Sequence, residues 1–127
     1  MEFYTSSHFD KSHLTFSECQ IIHEQILKSS NLHDSEFQEY WKEFLNSCIE
    51  YTDARAKWLL LSQEEKMNFD STRTNIHNRV IYNLKIIKAL ALENSNNCSW
   101  YEEFRDDRKR IGDFANYLVY IYAVNAR

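Results

Sequence analysis

Proline is absent from the 127 residues of this chain and glycine occurs once, at position 112. Sheet proteins need many tight turns, and those turns draw on the positive φ of glycine and the fixed φ of proline. A chain without them is expected to be all-α. Its length suits one core, not two. With 43% hydrophobic and 27% charged residues, the composition is that of a globular domain, not of a disordered or membrane-spanning chain.

The formal net charge is −4, which speaks against a strongly basic nucleic-acid binder and makes nucleic acid an unexpected partner. Residues 1–64 carry eleven acids and five bases, residues 65–127 eight acids and ten bases, so the charge is asymmetric along the chain. Cys19, Cys48 and Cys98 are odd in number and widely spaced, with no CxxC, which fits buried thiols in a reducing compartment. No apolar run approaches the roughly 18 residues of a membrane span. The first residues lack the basic and apolar regions of a signal peptide. These features together lead to a cytoplasmic expectation.

Residues 1–14 lack helical periodicity and read as an N-terminal arm, leaving 15–127 as a single helical domain. Thr15 and Glu18 have capping-box spacing before a helix to about residue 29 with Phe16, Cys19, Ile22, His23 and Ile26 on one side. Ser35 is placed to cap a second helix over roughly 36–61, whose stripe runs Phe37, Tyr40, Trp41, Phe44, Leu45, Cys48, Thr52, Arg55, Leu59. Ser62 and Glu65 form another box. A third helix begins there or at Asp70–Thr72 and ends before Asn94, with Arg73, Ile76, Val80, Leu84, Ile87 and Ala91 aligned. Residues 94–97 read as a loop. Ser99 and Glu102 are a third box, opening a last helix to about residue 124 with Phe104, Asp107, Ile111, Ala115, Leu118 and Tyr122 on one face. Four helices with short connections give an antiparallel bundle as the expected packing.

Charged residues inside apolar stripes must be paired or hydrogen-bonded. Arg55, Asp70, Arg73, His77 and Asp107 are therefore expected to meet in one buried polar cluster that fixes helix register, or to line a wet cleft with His77 as base and Arg73 as anion anchor. His8, His13, His23 and His33 lie in the first quarter, yet no His-x-x-x-His or Glu-x-x-His pair exists, so neither a metal site nor a cofactor is expected. Tyr117, Tyr120 and Ile121 fall off the last stripe. A second apolar face of that kind implies tight wrapping or a homodimer.

Two resemblances bear on function. Leu61-Ser62-Gln63-Glu64-Glu65, followed by Arg73-Thr74-Asn75-Ile76-His77-Asn78, Val80-Ile81 and the stretch Asp107–Ala115, is similar to a small bacterial and phage-type family known only as a domain of unknown function. That resemblance implies a compact helical domain and brings no activity. The Arg73-x-x-x-His77 pair also resembles the helical nucleotide-binding ribonucleases of toxin and phage-defence systems, whose Arg and His converge to cleave RNA without metal. There, four to six residues separate the pair; here there are three, and a four-residue offset still keeps both side chains on one helix face.

No glycine-rich phosphate loop or nucleophile elbow is present. The expectation is a non-catalytic protein-binding or regulatory module, with another protein as partner through a basic surface on that partner. The alternative is a metal-independent ribonuclease using Arg73 and His77 as catalytic residues.

Overall fold

The computed structural model describes residues 13–29, 34–93 and 98–125. Every regular element among them is helical: α1 Phe16–Ser29, α2 Ser35–Leu59, α3 Gln63–Glu93, a 3-10 segment Ser99–Phe104, and α4 Arg108–Asn125. The chain is all-α. The arm up to residue 12 and the loop at 94–97 lie outside the described residues.

Two capping boxes form as their spacing dictates. The Thr15 amide donates to Glu18 Oε1 and the Glu18 amide to Thr15 Oγ1, at 2.9 and 3.1 Å. Ser62 and Glu65 exchange the same pair of bonds at the head of α3, and α3 starts at once, without waiting for Asp70. Asp34, not Ser35, caps α2: its Oδ1 accepts the Glu36 amide at 3.0 Å.

The third box does not open an α-helix. Ser99–Phe104 winds as a 3-10 segment, and Arg105 and Asp106 follow in the left-handed region at φ 53° and 51°. This break is where the expected single last helix divides. Trp100, Tyr101 and Phe104 are all buried there. Asp107 then caps α4, accepting the amides of Lys109 and Arg110 on Oδ1 at 2.8 and 3.4 Å. Its place is thus a helix N-terminus, satisfying otherwise unpaired N–H groups. It bonds neither Arg55 nor Arg73 among the described residues.

The α2–α3 pair is an antiparallel hairpin, with Tyr51 against His77 and Trp58 against Arg73 nearer the turn. α4 runs antiparallel to α2, from Thr52–Asn116 to Trp41–Tyr122. Against α1 it advances in the same sense, from Leu14–Asp113 through Phe16–Tyr117 to His23–Tyr122. The return leg is taken by the 3-10 segment, whose Tyr101 ring lies under the Lys88 ammonium of α3.

α4 is the central element. Arg110, Ile111, Gly112, Phe114, Ala115, Tyr117 and Leu118 are all buried, so its neighbours cover it well beyond one stripe. Tyr117 is core, whereas Tyr120 stands exposed and Ile121 is partly buried. The buried charged residue among the described residues is Arg110, only 3% exposed, which no stripe reading singled out. Its Nε donates to the Glu103 carbonyl at 2.8 Å and its Nη1 to the His13 carbonyl at 3.0 Å. One turn on, Asp113 accepts the Leu14 amide and pairs with the His13 ring. Two charged residues of α4 therefore fasten the entry to α1 and the 3-10 segment.

Candidate functional site

A cavity of about 440 Å³ opens where the α2–α3 hairpin meets the start of α4. α2 contributes Tyr51, Arg55, Trp58 and Leu59 to its wall. α3 adds Arg73, Thr74 and His77, one helical turn apart at Arg73 and His77, and α4 adds Arg108 and Lys109. Four permanent cations thus line one cavity in a chain of net charge −4.

How the arginines are held decides what the cavity can do. Arg55 Nη1 donates to the Tyr51 hydroxyl at 3.3 Å, and Arg108 Nη1 to the Asn78 side-chain carbonyl at 2.8 Å. Both partners are neutral oxygens, so the guanidinium groups are positioned without being neutralised. Neither arginine has a carboxylate within ion-pair reach among the described residues. Arg73 lies with its guanidinium carbon 4.0 Å from the Trp58 ring centroid, a cation–π contact, and its Nη2 reaches Asp70 Oδ1 at 3.2 Å. The Arg73 Nε is buried and has no hydrogen-bond partner among the described residues. A donor in that state lacks the compensation buried polar groups usually have. By contrast, Arg79 on the outer face of α3 is paired with Glu50.

His77 is fixed at two points. Its Nε2 lies 2.9 Å from the Arg108 carbonyl, and its ring lies 4.8 Å from that of Tyr51. A carbonyl only accepts, so Nε2 carries the proton, and in the neutral ring Nδ1 is left with the lone pair. Burial lowers the His77 pKa below its ordinary 6.5. The neighbouring Arg108, Arg73 and Arg55 charges add to that, against a raising contribution from the carbonyl bond. The imidazole is neutral at pH 7.

The expected buried cluster therefore takes another form. Arg55, Arg73 and His77 do converge, but around a cavity: Arg55 is exposed, and Arg73 and His77 are half-buried. Asp70 is exposed and serves only as the i,i+3 partner of Arg73. Asp107 belongs to the α4 cap. The stripe of α2 explains the difference, since its buried positions turn through Cys48, Tyr51 and Ala54 and leave Thr52, Arg55 and Leu59 off the core. Arg108 and Lys109 were missed because they sit in the first turn of α4 and meet α3 only through the fold. The basic run Arg108-Lys109-Arg110 was the available signal.

The other described histidines, His13 and His23, have structural surroundings. His23 stacks on Trp41 with rings 5.9 Å apart and lies 3.3 Å from the Tyr122 hydroxyl. No group of three or more His, Cys, Asp or Glu side chains among the described residues is arranged to hold a metal; His8 and His33 lie outside them. Cys19 and Cys48 are buried free thiols, and burial is the main cause of the Cys19 rise to about 12. No described helix is long and apolar enough to cross a membrane. No family model matches the chain, and no curated protein or solved structure does either.

Proposed function

We propose that this chain is a non-catalytic regulatory module that works by binding, and that the cavity between α2, α3 and α4 is where it receives an anionic ligand. One observation carries the reading: Arg55 and Arg108 are oriented by neutral oxygens, leaving their charge available. Arginine donors arranged in this way suit carboxylate or phosphate oxygens. The acidic first half of the chain remains the surface suited to a basic protein partner.

The test is thermal unfolding in sodium sulfate against sodium chloride at matched ionic strength. Sulfate raises Tm in the parent chain, as a ligand specific to the folded state must. The rise shrinks in Arg55→Gln and Arg108→Gln. Equal responses to the two salts, or a sulfate effect untouched by both substitutions, would refute the reading.

A second reading, a metal-independent ribonuclease, draws support from His77, whose neutral ring lies one turn from Arg73. A neutral imidazole is a competent base, and an arginine beside it stabilises a charged phosphorane. The net charge of −4 opposes unaided RNA binding. RNA cleavage that survives EDTA and vanishes in a folded His77→Ala protein would favour this reading over the first.

A further inference from the structure

We infer that the ligand of the cavity is a small organic phosphate monoester, a phosphorylated sugar or nucleoside, and not a bare inorganic anion. This rests on the anion-binding reading above and specifies its chemistry.

Charge comes first. Arg55, Arg73, Arg108 and Lys109 face the cavity, Asp70 is the only carboxylate bonded to any of those side chains among the described residues, and His77 is neutral. Such an excess of cations matches a dianion better than a single carboxylate. A monoester phosphate is close to dianionic at pH 7. Its three free oxygens offer enough acceptors for several guanidinium groups at once.

Size and wall chemistry specify the rest. At about 440 Å³ the cavity lies within the range of small-molecule sites, and a lone tetrahedral anion would leave most of it to water. The remaining wall is not cationic: Tyr51, Trp58 and Leu59 present ring and aliphatic surface, and Thr74 a hydroxyl. His77 adds an acceptor, because its Nε2–H is committed to the Arg108 carbonyl and its Nδ1 retains a lone pair. A ligand with an anionic end and a hydroxyl-bearing body uses both kinds of wall.

The experiment is calorimetric titration of the full chain at pH 7.5 and low salt with ribose 5-phosphate, AMP, inorganic phosphate and ribose. At least one organic phosphate binds ten-fold or more tighter than inorganic phosphate, and ribose does not bind. Arg108→Gln weakens every phosphate ligand. His77→Phe, which keeps a ring but removes both the Nδ1 acceptor and the bond to the Arg108 carbonyl, weakens the organic phosphate by a larger factor than inorganic phosphate. An equal loss for both would overturn the role of Nδ1. Circular dichroism checks that both variants are folded. If inorganic phosphate binds as tightly as both organic phosphates, this inference falls and the anion-binding reading stands. If none of the phosphates binds, both fall.

Discussion

The hydroxyl of Tyr51 occupies the space in which a β-carbon on residue 112 would stand, and residue 112 is the only glycine of the chain. Such a carbon would also lie 2.9 Å from the Tyr51 Cζ. Glycine inside a helix costs about 1 kcal/mol relative to alanine, so its place in α4 needs a packing reason, and Tyr51 supplies it. The same tyrosine holds Arg55 and packs on His77, so the close approach of α2 to α4 builds one wall of the cavity. Gly112→Ala is expected to destabilise by about 1–3 kcal/mol, the overpacking penalty outweighing the propensity gain. Urea denaturation measures this, and Tyr51→Phe in the alanine background should return part of the loss. A more stable single variant would mean that Tyr51 moves aside freely.

Arg110 gives a second expectation. Its guanidinium is buried and spent on backbone carbonyls from two separate segments, those of Glu103 and His13. Truncation removes two part-buried, charge-assisted bonds worth about 1.5–3 kcal/mol each. Arg110→Ala should therefore lower stability by about 3 kcal/mol or more. Hydrogen exchange should quicken first at Leu14 and at the 3-10 segment. A loss under about 0.5 kcal/mol would place Arg110 among solvated surface residues.

The helices were legible in the sequence wherever a signal is local. Thr15/Glu18 and Ser62/Glu65 satisfy their own backbone donors within three residues, so a linear reading finds them. Ser99/Glu102 has the same spacing, yet the chain must reverse beside α3 before α4 begins, and the left-handed pair Arg105–Asp106 makes that reversal. Nothing in a three-residue pattern reports it. The candidate site divides in the same way. Arg73 and His77 share a helix face and were visible together, whereas Arg55 and Arg108 join them from α2 and α4 through tertiary packing. Expecting burial for every charge in a stripe also failed at Arg55, because the core-facing side of α2 rotates past that position toward the hairpin turn.

Acid should weaken the fold through its histidines. The pKa values of His77 and His23 are both lowered from 6.5, in each case with burial as the leading cause. Below 6.5 the unfolded chain takes up protons that the folded chain resists, so stability rises with pH in this interval. The contribution is complete above pH 6.5 and is lost as pH falls through the depressed values. Urea midpoints at pH 7.5 and pH 5 should therefore differ, and His77→Gln and His23→Gln should each flatten the difference. A bound phosphate favours the charged His77 ring, so added phosphate should offset part of the acid loss. An unchanged slope in both variants would assign the pH dependence to other groups.

Asp70→Asn separates a supporting role for Asp70 from a competing one. Asp70 and Arg73 form an exposed i,i+3 pair on α3, with side chains 58% and 42% accessible. Pairs of this kind contribute only a few tenths of a kcal/mol, so stability should stay within about 0.5 kcal/mol of the parent. The Trp58 face continues to hold the Arg73 guanidinium when the carboxylate is gone. Removing the negative charge leaves the cavity more cationic, and an incoming anion no longer competes with Asp70 for the Nη2 donor. Inorganic phosphate should therefore bind a few-fold more tightly to Asp70→Asn at low ionic strength. The gain should fade in about 0.5 M salt, where charges are screened over a few ångströms. Weaker binding would reverse the assignment, making Asp70 the group that aims Arg73 and Trp58 an insufficient support.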